Sequence, residues 1–283
     1  MCLIVFDWRP DARHGHRLLV AANRDEFHHR DTRPLQFWPG REHILGGIDD
    51  GARSEDGLPG TWMGVTRGGR FAALTNYRAP RDVNPSASSR GRLVSEFLAS
   101  DLPPAEYLLD VQSRSRRYNG FNLLVGSTLG PDPQLWWHSN RSGQAPLRLK
   151  AGLYGLSNAL LDTPWPKVRN AVGSMLYALA ASSERTVLFR LLGDDRQAPD
   201  DELPRTGVTL ARERLLSSVF IRSDDYGTRS SQVLDIGASG RIDYIERSFL
   251  PDLGPGVFQE RQLEVGAPVA AAGRRADERG SAG

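Results

Sequence analysis

The sequence predicts an α+β protein built on mainly antiparallel sheets. Strand-like and helix-like runs come in groups along the 283 residues, not in strict alternation. That is the pattern of segregated layers and not of a doubly wound parallel sheet. Several strand-like runs follow one another at hairpin spacing, with Gly, Pro, Asn or Asp between them. The composition, 39% hydrophobic and 25% charged, is that of a globular chain, which excludes wholesale disorder, a collagen-like repeat and a coiled coil.

CLIVF (Cys2 to Phe6) is short, apolar and rich in β-formers, so it reads as a buried strand, and RLLVAAN (Arg17 to Asn23) reads as its antiparallel partner. That pairing lays Asn23, Arg24 and Asp25 beside Cys2. His28 to Pro59 is rich in Pro and Gly and reads as loop. TWMGVT (Thr61 to Thr66) and RFAALTN (Arg70 to Asn76) form a hairpin around Arg67-Gly68-Gly69. Arg78 to Ser89 is polar and reads as a mobile loop over a site. Leu93, Val94, Phe97 and Leu98 share one helical face, as do Tyr107, Leu108 and Val111, with Pro104 in the first turn of the second helix. FNLLVG and QLWWH read as a strand pair, and GLYGLSN (Gly152 to Asn158) as another strand. A helix is predicted from Pro166 to Ala181, with Val168, Ala171, Val172, Met175, Leu176 and Leu179 inward, and a shorter one over Arg185 to Leu192. SVFIR, TRSSQVLDI and RIDYIER read as three closing strands. The body, 1–265, reads as a single domain, and 266–283 as a disordered tail of small and polar residues.

Lys plus Arg is 36 and Asp plus Glu 34, so no whole-molecule field calls for nucleic acid. No run of about 18 apolar residues is present, which predicts no integral membrane association. The one cysteine rules out an internal disulfide, and the first residues lack the basic segment of a secretory signal, so the chain is expected to be cytoplasmic. The adjacent histidines His28 and His29 would point to opposite faces of a strand, so no metal site is expected.

Cys2 is the first candidate for chemistry. Removal of Met1 by an aminopeptidase would leave a thiol and a free α-amine on one residue. An amine of ordinary pKa about 7.7–8.0 can act as general base while the thiol attacks. The competing reading is a cysteine buried at a strand edge. Asn23, Arg24, Asp25 and Glu26 are four polar groups directly after an apolar strand, either solvated or held in a network. Asp25 could orient the thiol or bind the amine; Arg24 could bind an anionic group; Asn23 could donate to an oxyanion. Asn76 and Asn158, at two strand ends, are neutral donors suited to an oxyanion. Tyr77 and Arg78, which follow Asn76, are candidate substrate-binding residues. Arg229 could pair with Asp25 or with a ligand carboxylate.

MCLIVF, AANRDEF, GTWMGV, LTNYR, SRGRLVSEFL, YNGFNLLVG, GLSNALLDTPWPKV, DELPRTG and VFIRSDDYGTRSSQVL occur in that order. Together they resemble the NRDE family, also called the Transport and Golgi organisation protein 2 family. The resemblance implies an N-terminal-nucleophile (Ntn) hydrolase-like fold, a four-layer αββα sandwich, distantly similar to choloylglycine hydrolases and penicillin V acylases. It implies a catalytic set of Cys2, Asp25, Asn76, Asn158 and Arg229. The acylases place an arginine where this chain has Ala22; here Arg24 follows the Asn instead. Two functions are therefore expected as alternatives. One is an N-terminal-cysteine hydrolase that cleaves a C–N amide bond of a small acylated substrate and needs no cofactor. The other is a non-enzymatic protein of haem trafficking, or one that binds acyl-CoA or lipid, in which haem is a ligand held in the same cleft.

Overall fold

The computed structural model describes residues 2–52, 57–180, 185–250, 254 and 256–266. Among these residues two antiparallel sheets form. The first has the order β10-β1-β2-β11-β12-β13: β1 is Cys2–Trp8, β2 His16–Phe27, β10 Gly152–Leu156, β11 Tyr226–Gly237, β12 Ile242–Phe249 and β13 Phe258–Val265. The second runs β3 to β9 in sequence order: Thr32–Trp38, Arg41–Asp49, Met63–Thr66, Arg70–Asn76, Phe121–Ser127, Gln134–Ser139 and Leu147–Arg148.

Alternation along the strands makes the layers. Ile4, Phe6, Trp8, Val20 and Ala22 meet Leu45, Met63, Val65, Phe71 and Leu124 in a core between the sheets. The odd positions of β1, Leu3 and Val5, point the other way, onto Val168, Ala171 and Met175 of α3 (Pro166–Ala180) and onto α4 (Arg185–Leu192). On the far side, Ala72, Leu74, Leu123 and Val125 bury the apolar faces of α1 (Gly91–Ala99) and α2 (Pro104–Ser113). Three apolar seams between four layers are an αββα sandwich, the architecture expected from the family resemblance.

The structure differs from the sequence reading in several places. His28 to Pro59 contains β3 and β4, not loop alone. Gly46 serves close approach: a Cβ there would lie 2.9 Å from the Met63 carbonyl oxygen across the β4–β5 pairing. Pro34 sits inside a register irregularity between Arg33 and Gln36, where a missing N–H is tolerated. SVFIR is not a strand; its buried backbone is satisfied outside a ladder, with Val219 O accepting from Asn23 Nδ2, Phe220 N–H donating to Asp194 O, and Ile221 N–H donating to Thr228 Oγ1. Leu176, expected inward on α3, is 60% exposed. The edge strand β13 and the short helix α5 (Leu210–Leu215) carry too little apolar pattern to be read. The predicted end of α3 at Ala181 and the tail from 267 onward lie outside the described residues.

Gly46→Ala is expected to cost about 1–3 kcal/mol, because a strand backbone and not a flexible side chain must yield. Thermal unfolding checks it; a melting temperature within a degree of the parent would contradict the close-approach account.

Candidate active site

The β1–β2 register places Cys2 directly opposite Arg24. Partners in an antiparallel pair share a face, so both belong to the inter-sheet side with Ile4 and Ala22, whereas Asn23 and Asp25 belong to the side covered by α3 and α4. A cavity of about 410 Å³ opens where the two sheets part, and Cys2, Arg24, Glu26, Arg30, Asn76 and Arg90 are on its wall. The polar segment expected to lie over a site does so: Pro85, Ala87, Ser88 and Ser89 form one side of the cavity. It is pinned there by paired bonds between Asn84 and Asn119 at 2.8 and 2.9 Å.

Arg24 is 5% exposed. Its guanidinium carbon lies 4.4 Å from the centre of the Trp62 ring, and Nη2 is 3.5 Å from Asp49 Oδ2. Nη1 is buried with no hydrogen-bond partner among the described residues. Arg90 donates from Nη1 to Gly120 O at 3.0 Å, and its burial lowers its basicity. Glu26 is held below the usual carboxylate range: burial opposes this, but the charge of the chain's N-terminal ammonium, the Phe27 N–H, 2.9 Å from Oε1, and the nearby Arg24 and Arg30 outweigh it.

Asp25 is 1% exposed and is also part of the cavity wall. A β-bulge in β11 between Thr228 and Ser230 turns Thr228 Oγ1 toward Asp25 Oδ1, at 2.8 Å. Tyr226 Oη donates to the Asp25 carbonyl at 3.1 Å. Burial raises the Asp25 carboxyl, opposed by Lys167, the N-terminal ammonium, Thr228 and Arg24. Burial also raises the Cys2 thiol, and the Asp25 charge adds to it; the N-terminal ammonium, Arg24 and the Asp25 backbone N–H pull the other way.

The remaining expected site residues serve the cavity from behind or stand apart from it. Asn158, buried, donates from Nδ2 to the Asn76 carbonyl at 2.8 Å, and Ser157 Oγ donates to Cys2 O at 3.1 Å. The segment after β10 thus ties the end of β6 to the first strand, and the Asn158 side chain is spent on positioning Asn76. Asn23 is structural: Nδ2 donates to Leu192 O and Val219 O at 2.8 and 2.9 Å, and Oδ1 accepts from Ser231 Oγ at 2.6 Å. Arg229 is the extra residue of the bulge, and its Nη1 donates to Phe27 O and His28 O at 2.9 and 2.8 Å. Arg78 is buried in an ion pair with Glu213, 2.8 Å from Nη1 to Oε2. Asn23, Tyr77, Arg78, Asn158 and Arg229 are all outside the cavity wall.

Sequence reasoning passed over Trp62, Arg90 and Lys167. The first two sit inside recognisable motifs but carry no individual signal. Lys167 does carry one: it is one of only two lysines in a chain with 36 basic residues, and it opens an apolar helix. Among the described residues no three His, Cys, Asp or Glu side chains are grouped to hold a metal, and no helix is long and apolar enough to cross a membrane.

With its thiol raised, Cys2 is expected to react with iodoacetamide at pH 7 more slowly than free cysteine does. The thiolate is the charged form, so the rate should climb about tenfold per pH unit and level off only above the ordinary thiol range. The single cysteine makes the mass readout unambiguous. A rate already flat at pH 7 would contradict the reading.

A family model described as Transport and Golgi organisation 2 matches residues 1–251. The Transport and Golgi organization protein 2 homologue of Bos taurus is 39% identical over 265 residues, covering 88% of this chain and 94% of the bovine protein. The Homo sapiens homologue is 36% identical, with coverage of 88% and 94%. The Drosophila melanogaster protein is 28% identical, with coverage of 88% and 92%. Among solved structures, a mutant conjugated bile acid hydrolase from Clostridium perfringens aligns with a TM-score of 0.40 at 9% identity, covering 93% of this chain and 92% of that one. A Caenorhabditis elegans N-acylethanolamine-hydrolyzing acid amidase orthologue gives a TM-score of 0.38 at 11% identity, with coverage of 82% and 92%.

Proposed function

This chain belongs to the Transport and Golgi organisation 2 family, and from its site we propose that it is a cysteine-dependent hydrolase of a C–N amide bond in a small, acylated, anionic substrate. The supporting observation is that Cys2 shares the wall of a polar cavity with Arg24, which is buried and has Nη1 unpartnered among the described residues, and with Asn76. A buried guanidinium with an unused donor is costly unless an acceptor arrives, and a planar carboxylate or phosphate supplies one.

In this mechanism Met1 is removed first. The α-amine of Cys2 then takes the thiol proton as the sulfur attacks the amide carbon. Asn76 donates to the oxyanion of the tetrahedral intermediate. The amine leaves with the proton delivered from the α-ammonium, and water hydrolyses the thioester, which restores the thiol. Arg24 and Arg90 hold the anionic end of the substrate. The wall is mostly charged and polar, with Trp62 and Leu74 among its few apolar members. That suits a small polar substrate better than a haem macrocycle or a long acyl chain, either of which buries mainly apolar surface.

Intact-mass measurement of the purified protein, followed by turnover of an amide library of anionic and neutral acyl compounds, tests the reading. Loss of Met1 and preferential cleavage of anionic members are expected. Retention of Met1 would end the α-amine mechanism.

A further inference from the structure

Lys167 is 2% exposed, and its Nζ has no hydrogen-bond partner among the described residues. It opens α3, and the next residue, Val168, packs on Gly155 of β10, beside β1. The helix thereby lies over the face of the first sheet to which Asp25 belongs. A buried amine that makes no direct hydrogen bond does nothing for packing that a methionine would not do better. Such local cost is most often retained at functional sites.

We propose that Lys167 is a positioning residue of this site: its ammonium, delivered through the first turn of α3, keeps the buried Asp25 carboxylate ionised behind Cys2. The charged groups around the pair come from four elements. Asp25 on β2 and Cys2 on β1 favour the ammonium, and Arg78, in the segment after β6, opposes it while itself neutralised by Glu213. On the Asp25 side stand the N-terminal ammonium, Arg24 of β2, Thr228 of β11 and the Tyr226 phenol, whose own ionisation Asp25 suppresses. Burial pulls Lys167 down to about 8, with Asp25 the first group to oppose that fall. An ionised Asp25 can hold the Cys2 α-ammonium formed in each turnover; a protonated one cannot. The inference rests on the hydrolase reading for its consequence, but not for the charge pair itself.

The two lysines make the test site-resolved. In the full-length protein carrying [13Cε]-lysine, NMR shows two resonances, and Lys150, which is exposed, serves as the reference. The Lys167 midpoint is expected near 8, and Asp25→Asn should move it down by about one pH unit or more, a tenfold change in proton affinity. A midpoint that Asp25→Asn leaves in place overturns the proposal, whatever the enzyme does. Where an amide substrate is in hand, Lys167→Met should move the acid limb of the kcat/KM profile up by about one pH unit, and Lys167→Arg should restore it. A lower but unshifted profile in Lys167→Met would show a packing role only and would also overturn it. Absence of turnover, with the NMR response intact, would count against the hydrolase and leave the pair standing.

Discussion

Cys2→Ala is expected to abolish amide turnover, by about a thousandfold or more, while changing the melting temperature little. The size follows from the chemistry: no other residue on the cavity wall carries a nucleophilic thiol, and the covalent path has no substitute when the sulfur is gone. The small effect on stability follows from position. Cys2 is half-buried at the end of β1, and its strand is fixed by Leu3, Ile4, Val5 and Phe6, which are at most 2% exposed. Cys2→Ser separates nucleophile from shape. It keeps the volume and leaves a hydroxyl that is a far weaker nucleophile at neutral pH, so a loss of similar size is expected. Turnover by Cys2→Ala above a tenth of the parent's would remove the cysteine from the mechanism.

Arg78→Met should cost about 3–5 kcal/mol of stability, the range for breaking one side of a buried ion pair. The two side chains are each 5% exposed and meet at 2.8 Å. Glu213 Oε1 accepts from both the backbone N and Oγ1 of Thr206, each at 2.7 Å, so the carboxylate is fixed and cannot follow water when its partner goes. Arg78 also stacks on Trp165, 4.8 Å from the ring centre, and its backbone N–H donates to Asn158 O at 2.7 Å. Its loss therefore loosens the segment that positions Asn76. Urea unfolding of Arg78→Met, Glu213→Leu and the double variant measures this. The double variant is expected to recover part of the loss, because no charge is then left buried alone. A single-variant loss below about 1 kcal/mol would mean that the pair is hydrated.

Much of the site follows from two short strings. CLIVF and RLLVAAN are apolar enough to pair as buried strands. Pairing them antiparallel brings Asn23, Arg24 and Asp25 to Cys2, and the observed register sets Cys2 opposite Arg24. Which of these residues face the cavity could not be read the same way. Period-two alternation says that Arg24 and Asp25 point apart; only the partner layers say which side is open. Asn23 illustrates the limit. It lies beside Leu3 in register, but its amide is used by Leu192 and Val219, residues about 170 and 200 positions away in the chain. The sequence puts Arg229 at a strand head within reach of the site, but as the extra residue of the β11 bulge it directs its side chain to the carbonyls at the end of β2.

The amino-acid sequence alone determined the layered α+β class, the strand pair that carries Cys2, the polar segment over the cavity and the family. All four are written in local pattern or motif order, and local pattern survives without knowledge of the fold. Tertiary structure decided which polar groups line the cavity and which are spent behind it. It also buried Lys167 at the start of the helix that covers the face to which Asp25 belongs, and it made strands out of the glycine- and proline-rich stretch after His28. These depend on contacts between residues distant in the chain, where burial and the hydrogen bonds that compensate it, not propensity, set each side chain's role.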